Sequence, residues 1–429
     1  KDPETFLPNL ALTQNQIGIL YAKSGRFEEA ETSFKDALEI RKELATKDPE
    51  VYLPKVAIMQ HNLGNLYWNL GRFLEAEHVY QEALEIKKEL AKINPDVYLI
   101  DVANTQNNIG ALYYSLRRFE EAQTAYNEAL EIYTELFEKD PDTYLYSFAF
   151  IQNNLGELYT ILKRYNDAEK FLLAALRFSK ELADRNPEAY IYLVSEAQNN
   201  LGELYTILRR YKNAEKFFLA ALGIRKDLAE KNPDSYLELV AETQNDLGEL
   251  YTNLKRYGEA ERSLLSALRN SKELADKNAE AYIHLVSKTQ NNLGELYSIL
   301  KRYEDAENSL LAALGIRKEL AEKTPEAYVS YVVETQNNLG LLYIDLKRFR
   351  EAEKCLSEVV RLDSNCGDGW YNKACLESLQ NNKGNSLESL KKAIEINKNY
   401  IETAKIDESL DNILNLKEFK ELIGKVGKN

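Results

Sequence analysis

Apolar residues in this chain fall into two blocks at helical spacing, and the pair of blocks recurs along the sequence. In the second copy, Tyr52, Val56 and Leu63 share one face of a helix, and a second apolar block begins at Ala76. A short basic turn at residues 71–73 separates the two blocks. Each copy therefore predicts two helices of about 20 residues, each ~30 Å long.

One glycine marks the period. It recurs every 46 residues, at Gly18, Gly64, Gly110, Gly156, Gly202, Gly248, Gly294 and Gly340. A fixed period in the range of about 20–50 residues indicates structural repeats that stack on one another. We therefore expect an all-α solenoid of antiparallel helix pairs.

A helix-start signal precedes each first helix. In the second copy Asp48 is followed by Pro49 and Glu50, which supply an N-cap side chain, a proline at the first helical position and an acid that favours the helix dipole. The same pattern predicts a start at residues 2–4 in the first copy, and only Ala279 departs from the proline.

The mid-helix glycine costs about 1 kcal/mol against alanine and needs a packing reason. An alanine such as Ala76 follows each glycine by 12 residues, so we expect two small residues to face each other and let the helices approach closely. A tyrosine such as Tyr67 follows each glycine by three residues, which predicts core packing with a tethered hydroxyl.

The 46-residue period ends near the C-terminus, where Ala374 takes the glycine's place 34 residues after Gly340. We divide the chain into eight repeats over residues 1–365, with the eighth shortened, a ninth repeat of the 34-residue type over 366–399, and a capping helix or helices with a tail over 400–429. The chain starts at Lys1 and enters a repeat directly, so we expect a piece of a longer protein.

The formal net charge of −14 argues against nucleic acid or an acidic membrane as the main partner, because both require clustered Lys and Arg. Three cysteines without C-x-x-C spacing predict neither a disulfide framework nor a metal site and are compatible with the cytoplasm. Isolated histidines and the lack of nucleotide-binding glycine motifs favour a protein that is not an enzyme and holds no cofactor.

With these positions located, the repeat resembles the tetratricopeptide repeat (TPR), whose pattern reads W-x-x-L-G-x-x-Y, then A-x-x-x-F, A and P. The matching residues in the fourth copy are Leu155, Gly156, Tyr159, Ala168, Leu172, Ala175 and Pro187, with Gln152 at the tryptophan position. The 46-residue form resembles the long TPR arrays of prokaryotes, and the T-Q-N-N-L-G-x-L-Y run is similar to that of kinesin light chain. The resemblance implies a right-handed superhelix whose first helices line a concave groove.

In the TPR count, where the glycine is place 8, the resemblance implies that places 2, 5, 6, 9 and 13 face the groove. Places 5 and 6 form an amide ladder and place 9 adds carboxylates in the central copies. The candidate peptide-binding residues are Asn62, Asn107, Asn108, Asn153, Asn154, Asn199, Asn200, Asn245, Asn291, Asn292, Asn337, Asn338, Glu157, Glu203, Glu249 and Glu295.

A row of carboxamides can hydrogen-bond the backbone of an extended peptide, since each amide offers donors and an acceptor. The first hypothesis is therefore a protein-interaction scaffold that binds an extended, basic or neutral polar peptide or partner segment in this groove. The alternative for the amides is that they bond across neighbouring helices to fix the stack. The alternative for the protein is a structural spacer of a larger regulator or enzyme, or an array that self-associates through its terminal repeats.

Overall fold

The computed structural model describes residues 6–424, and every regular element in that range is a helix. The predicted first-copy start at residues 2–4 lies outside the described residues. The helices are α1 (Leu7–Lys23), α2 (Phe27–Lys47), α3 (Pro49–Asn69), α4 (Phe73–Ile93), α5 (Pro95–Ser115), α6 (Phe119–Lys139), α7 (Pro141–Ile161), α8 (Tyr165–Arg185), α9 (Pro187–Ile207), α10 (Tyr211–Lys231), α11 (Pro233–Asn253), α12 (Tyr257–Lys277), α13 (Ala279–Ile299), α14 (Tyr303–Lys323), α15 (Pro325–Asp345), α16 (Phe349–Leu362), α17 (Gly367–Leu379), α18 (Lys383–Ile396), α19 (Tyr400–Ala404), α20 (Asp411–Leu414) and α21 (Lys417–Gly424), with a 3₁₀ turn at Glu408–Leu410.

The described helices form two compact units, with the boundary between Thr243 and Gln244 inside α11. Within each unit, consecutive helices pack against each other as pairs joined by three-residue turns. The expected fold class, an all-α solenoid of helix pairs, is confirmed. At the C-terminal end, α19–α21 bring Ile401, Ile413 and Phe419 into one apolar cluster with Tyr371 and Leu390 of the α17/α18 pair.

The predicted helix starts are found at Pro49, Pro95 and their counterparts through Pro325, and also at Ala279 despite its lack of proline. The N-cap side chains of Asp48, Asp140, Asn186 and Asn278 accept a hydrogen bond from the backbone N–H three residues later. Those of Asn94 and Thr324 do not, so in their repeats the start depends on proline and the first-turn acid.

A large side chain closely approaches each mid-helix glycine of the 46-residue period. A Cβ on Gly64 would lie 2.6 Å from the Tyr80 ring, and one on Gly156 would lie 2.5 Å from Leu172. The side chain nearest the glycine is therefore the large one 16 residues later, which the sequence did not indicate. At Gly294 the carbonyl oxygen of Ala306, the expected alanine, would also lie 3.3 Å from the added Cβ. The glycine makes room for a large side chain in the core, which offsets its cost in the helix.

Several repeats are also linked to the one before them through their basic turn. Arg118 Nη1 donates to Glu77 Oε2 at 2.8 Å, Tyr113 donates its hydroxyl hydrogen to Glu77 Oε1 at 2.9 Å, and the Arg118 guanidinium lies 4.2 Å from the centre of the Tyr113 ring. Arg348, Tyr343 and Glu307 repeat this arrangement in the other unit. The predicted tethered hydroxyl is confirmed, and its partner is a glutamate on the preceding second helix.

Candidate binding face on the first helices

The first helices of successive repeats lie side by side within each unit, and their asparagines are bonded to one another. Asn154 Nδ2 donates to Asn107 Oδ1 at 2.9 Å, and Asn200 Nδ2 donates to Asn153 Oδ1 at 3.1 Å. The same bond recurs between Asn62 and Asn15, Asn292 and Asn245, Asn338 and Asn291, and Asn372 and Asn337, while Asn108 contacts His61. In each pair the place 6 amide donates to place 5 of the preceding repeat.

The two amide rows differ in depth. We call them the inner row, at place 5, and the outer row, at place 6. The inner-row residues Asn107, Asn153, Asn199, Asn245 and Asn291 are buried, and only Asn337 among the candidates of this row is half-buried. The outer-row candidates Asn62, Asn108, Asn154, Asn200, Asn292 and Asn338 are all half-buried. A ligand on this face therefore meets the outer row, with the inner row beneath it.

Asn199 shows how far the inner row is integrated into the fold. Its Nδ2 donates to Glu203 Oε1 at 2.8 Å, and its Oδ1 accepts from Thr243 Oγ1 at 3.0 Å and from Arg225 Nη1 at 3.2 Å. Arg225 is buried and also donates to the Leu239 carbonyl at 3.1 Å. The buried arginine was not singled out from the sequence, although its position among apolar residues of the second helix was a signal.

The candidate carboxylates lie nearer the solvent. Glu157 and Glu203 are half-buried, whereas Glu249 and Glu295 are exposed along part of their length. In the second unit, partial burial and the carboxylates of Asp246, Glu295 and Glu334 raise the pKa of Glu249 to about 7, against the opposing effect of the Lys288 ammonium. Burial and Glu334 also raise the pKa of Glu295.

In the first unit, several carboxylates on the first helices crowd one another. Burial, together with the charges of Glu157 and Glu242, raises the pKa of Glu196 to about 7, although Arg225 acts in the opposite direction. Burial and Glu242 raise the pKa of Glu238 to about 7. The pKa of Glu157 is raised by burial and by Glu242, while a hydrogen bond from Tyr114 opposes the rise.

The same helices carry exposed apolar side chains at both ends of this face. On α7 and α9 the residues in line are Tyr146, Phe150, Asn153, Asn154, Glu157 and Ile161, and Tyr192, Glu196, Asn199, Asn200, Glu203 and Ile207, which we call the α7/α9 stripe. The Tyr146 and Tyr192 hydroxyl oxygens are 3.0 Å apart, and the Tyr146 ring stacks on that of Phe150. Places 2 and 13 were assigned to the groove from the sequence, but Ile161, Ile207 and the aromatic group were not recognised as candidates.

Among residues 6–424, no group of three or more His, Cys, Asp or Glu side chains is arranged to hold a metal ion. Within the same range, no helix combines the length and apolar character needed to cross a membrane.

Comparison with known proteins places the repeats in a family. Models of the tetratricopeptide repeat match residues 10–48, 56–95, 101–181, 193–273, 285–365 and 367–400. No curated protein matches the chain.

Among solved structures, aspartyl phosphate phosphatase F from Bacillus subtilis is similar at 14% identity, over 76% of this chain and 75% of that one, with a TM-score of 0.52. BtubC (BKLC) from P. vanneervenii is 24% identical over 57% of this chain and 91% of its own, with a TM-score of 0.44. The apo form of RapI is 19% identical over 70% and 99%, with a TM-score of 0.48. Because a single repeat model covers more than half of the residues, the chain belongs to the tetratricopeptide repeat family.

Proposed function

We propose that this protein is an interaction scaffold that binds an extended peptide or partner segment on the face formed by its first helices. One observation carries the proposal: Glu157, Glu196 and Glu238 are partly buried on this face, and the charge of Glu242 adds to burial in raising the pKa of each of them. Like charges held together cost free energy, and a basic partner would relieve that cost. No reaction is proposed for the chain.

The outer amide row supports the same assignment. An amide has two N–H donors and an oxygen with two lone pairs, so Asn154 and Asn200 can keep their ladder bonds and still bind a peptide backbone. The inner row would support them from beneath. A basic or neutral polar peptide fits this combination, whereas an acidic peptide would add to the repulsion.

The test is affinity capture from native extract followed by mass spectrometry, with the full chain as bait. A triple variant, Asn154→Ala, Asn200→Ala and Asn292→Ala, removes outer-row amides, and a double variant, Glu157→Gln and Glu203→Gln, removes charge with little change in shape. Circular dichroism first establishes equal helicity. We expect both variants to lose the same specific proteins. If neither variant loses any protein, the amide ladder serves the stack alone and the proposal fails.

A second candidate function, self-association, is favoured by the first helix. Leu20 on α1 is 65% exposed, whereas its counterpart Leu66 on α3 is 2% exposed. Leu10 and Phe6 are exposed on the same helical face. An apolar helix face of this kind would pack on a second copy of the chain. Sedimentation velocity over a range of concentrations should then show a dimer that the Leu20→Glu variant does not form.

A further inference from the structure

The α7/α9 stripe divides into three zones along the helix axis. The aromatic group Tyr146, Phe150 and Tyr192 lies at the N-terminal end, the carboxylates lie in the middle, and Ile161 and Ile207 lie at the C-terminal end. Apart from the adjacent pair Asn153 and Asn154, residues in line on α7 are separated by three or four positions, which keeps them on one helical face. The 15 steps from Tyr146 to Ile161 span ~22 Å at the α-helical rise.

The two helices are in register over this length. The Tyr146 and Tyr192 hydroxyls meet near one end, and the Asn153 to Asn200 hydrogen bond joins the middle. Equivalent residues of α7 and α9 are thus neighbours, and each zone is two helices wide. The isoleucines are 40% and 50% exposed, so this apolar zone is open to a ligand.

The middle zone carries the carboxylates of α7 and α9, and the neighbouring first helix α11 adds another negative charge. Glu157 and Glu196 face Glu242 of α11, and Tyr114 of α5 is close to both Glu157 and Glu203. The cation whose charge acts on Glu196, Arg225 of α10, is buried and bonded to Asn199, Thr243 and the Leu239 carbonyl. None of the stripe residues is basic, and the nearest basic residues along the chain, Lys163 and Arg209, are in the turns beyond Ile161 and Ile207.

We propose that the α7/α9 stripe binds an extended peptide segment whose basic centre lies on the carboxylates and whose apolar ends lie on the aromatic group and on the isoleucine pair. This inference rests on the proposed function and names the partner's chemistry. A stretch of about seven extended residues covers ~22 Å. Acidic polymers are repelled by the centre, and a purely apolar ligand would strip water from the carboxylates without compensation.

Proton exchange gives the interaction a second signature. Because Glu196 and Glu238 have pKa values of about 7, part of the face is protonated near neutral pH. A cationic segment favours the ionised carboxylates, so its binding releases protons and its affinity increases from pH 6 to pH 8.

The experiment is fluorescence anisotropy with the full chain and a labelled peptide, acetyl-Phe-Lys-Ser-Lys-Ser-Lys-Leu-amide. Two control peptides replace the lysines by glutamate, or the Phe and Leu by serine. We expect the basic amphipathic peptide to bind roughly tenfold more tightly than either control, since each zone contributes about 1.4 kcal/mol or more. Equal binding of the acidic control would overturn the proposal.

Variants locate the site. Glu196→Gln with Glu203→Gln, and separately Ile161→Ser with Ile207→Ser, should each weaken binding roughly tenfold. Matched controls lie on the second helices: Leu173→Ser with Leu219→Ser removes leucines that are 43% and 48% exposed, and Glu131→Gln removes an exposed carboxylate of α6. These controls should change affinity by less than about twofold.

The outcomes separate this inference from the proposed function. If extract proteins depend on the outer amides but the basic peptide does not bind, the scaffold function holds and the partner chemistry assigned here is wrong. If the peptide binds but the second-helix controls weaken it as much as the stripe variants, the site is not the α7/α9 stripe and the inference is overturned.

Discussion

Two sets of side chains on α7 and α9 share one face but differ in their surroundings: the inner-row asparagines, and the glutamates Glu157 and Glu196, which we call the carboxylate row. Asn153 and Asn199 are buried and hydrogen-bonded to neighbouring repeats. Glu157 and Glu196, a few residues away, carry raised pKa values because burial and like charges disfavour their ionised forms. These two amides therefore have hydrogen-bond partners within the chain, whereas ionisation of these two carboxylates costs free energy in the folded state.

The reason is the chemistry of the two groups. An amide both donates and accepts, so a row of amides can bond to itself from repeat to repeat. An ionised carboxylate only accepts, so a row of carboxylates repels itself and gains from donors that come from elsewhere. We therefore expect the inner amide row to stabilise the stack and the carboxylates to favour a partner, so the two groups should respond differently to substitution.

The largest effect is expected at the inner amide row. Asn199→Ala leaves the buried Arg225 and Thr243 without a shared acceptor, so we expect the free energy of unfolding to fall by about 2–4 kcal/mol. Urea unfolding followed by circular dichroism measures the change. The outer-row variant Asn200→Ala removes one hydrogen bond, to Asn153, and should cost only about 1 kcal/mol. Equal losses of unfolding free energy in the two variants would contradict the assignment of distinct roles to the inner and outer amide rows.

A smaller effect, opposite in sign, is expected at the carboxylate row. Because the folded pKa of Glu196, about 7, lies above its ordinary value near 4.3, the neutral form is favoured in the folded chain. This contribution to stability is fully present at acidic pH below the unfolded pKa and is lost as pH rises through 7. Glu196→Gln should therefore raise the free energy of unfolding by roughly 1 kcal/mol at pH 8, with a smaller effect at pH 5.

Glu131→Gln on α6 is the control for that comparison, because Glu131 is an exposed glutamate in the middle of a second helix. It should leave stability within about 0.5 kcal/mol at both pH values. If Glu196→Gln destabilises the chain at pH 8, attraction between Glu196 and Arg225 outweighs the repulsion from Glu157 and Glu242. The carboxylate row would then belong to the architecture, as the amide row does.

The sequence predicted the helices and their phase because each repeat carries the same local signals. Pro49 marks a helix start and Gly64 marks the period, and both signals are read without tertiary information. The partner of Gly64 was missed, because the contact with Tyr80 depends on how two helices cross. Place counting likewise put Asn153 and Asn154 on one face but could not show which of them is buried.

The exposed apolar residues of the face were missed for a related reason. Ile161 and Ile207 end helices whose leucines are buried in the core, so the sequence alone does not separate them from core residues. Their exposure depends on the position of the neighbouring first helix. Glu157 and Glu203 were found because place 9 carries a glutamate in four copies, whereas Glu238 was not a candidate. The effect of Glu242 on the pKa of Glu238 and of Glu196 follows only from the packing of the first helices.

A third recurrent position, the turn residue after each first helix, tests whether other repeated residues of this chain also lower its stability. The turn residue after each first helix is left-handed, with glycine in the first two repeats, a basic residue in the third to eighth and Asn381 in the ninth. The φ angle is 67° at Gly71 and 59° at Lys163. A side chain in this region is strained, and glycine is not. We expect Lys163→Gly to raise the free energy of unfolding by about 0.5–1 kcal/mol and Gly71→Lys to lower it by a similar amount, both measured by urea unfolding. A loss of stability in Lys163→Gly would show that the exposed lysine side chain stabilises the fold by more than its backbone strain costs. The left-handed turn residues would then stabilise the fold, as the inner-row amides are expected to do.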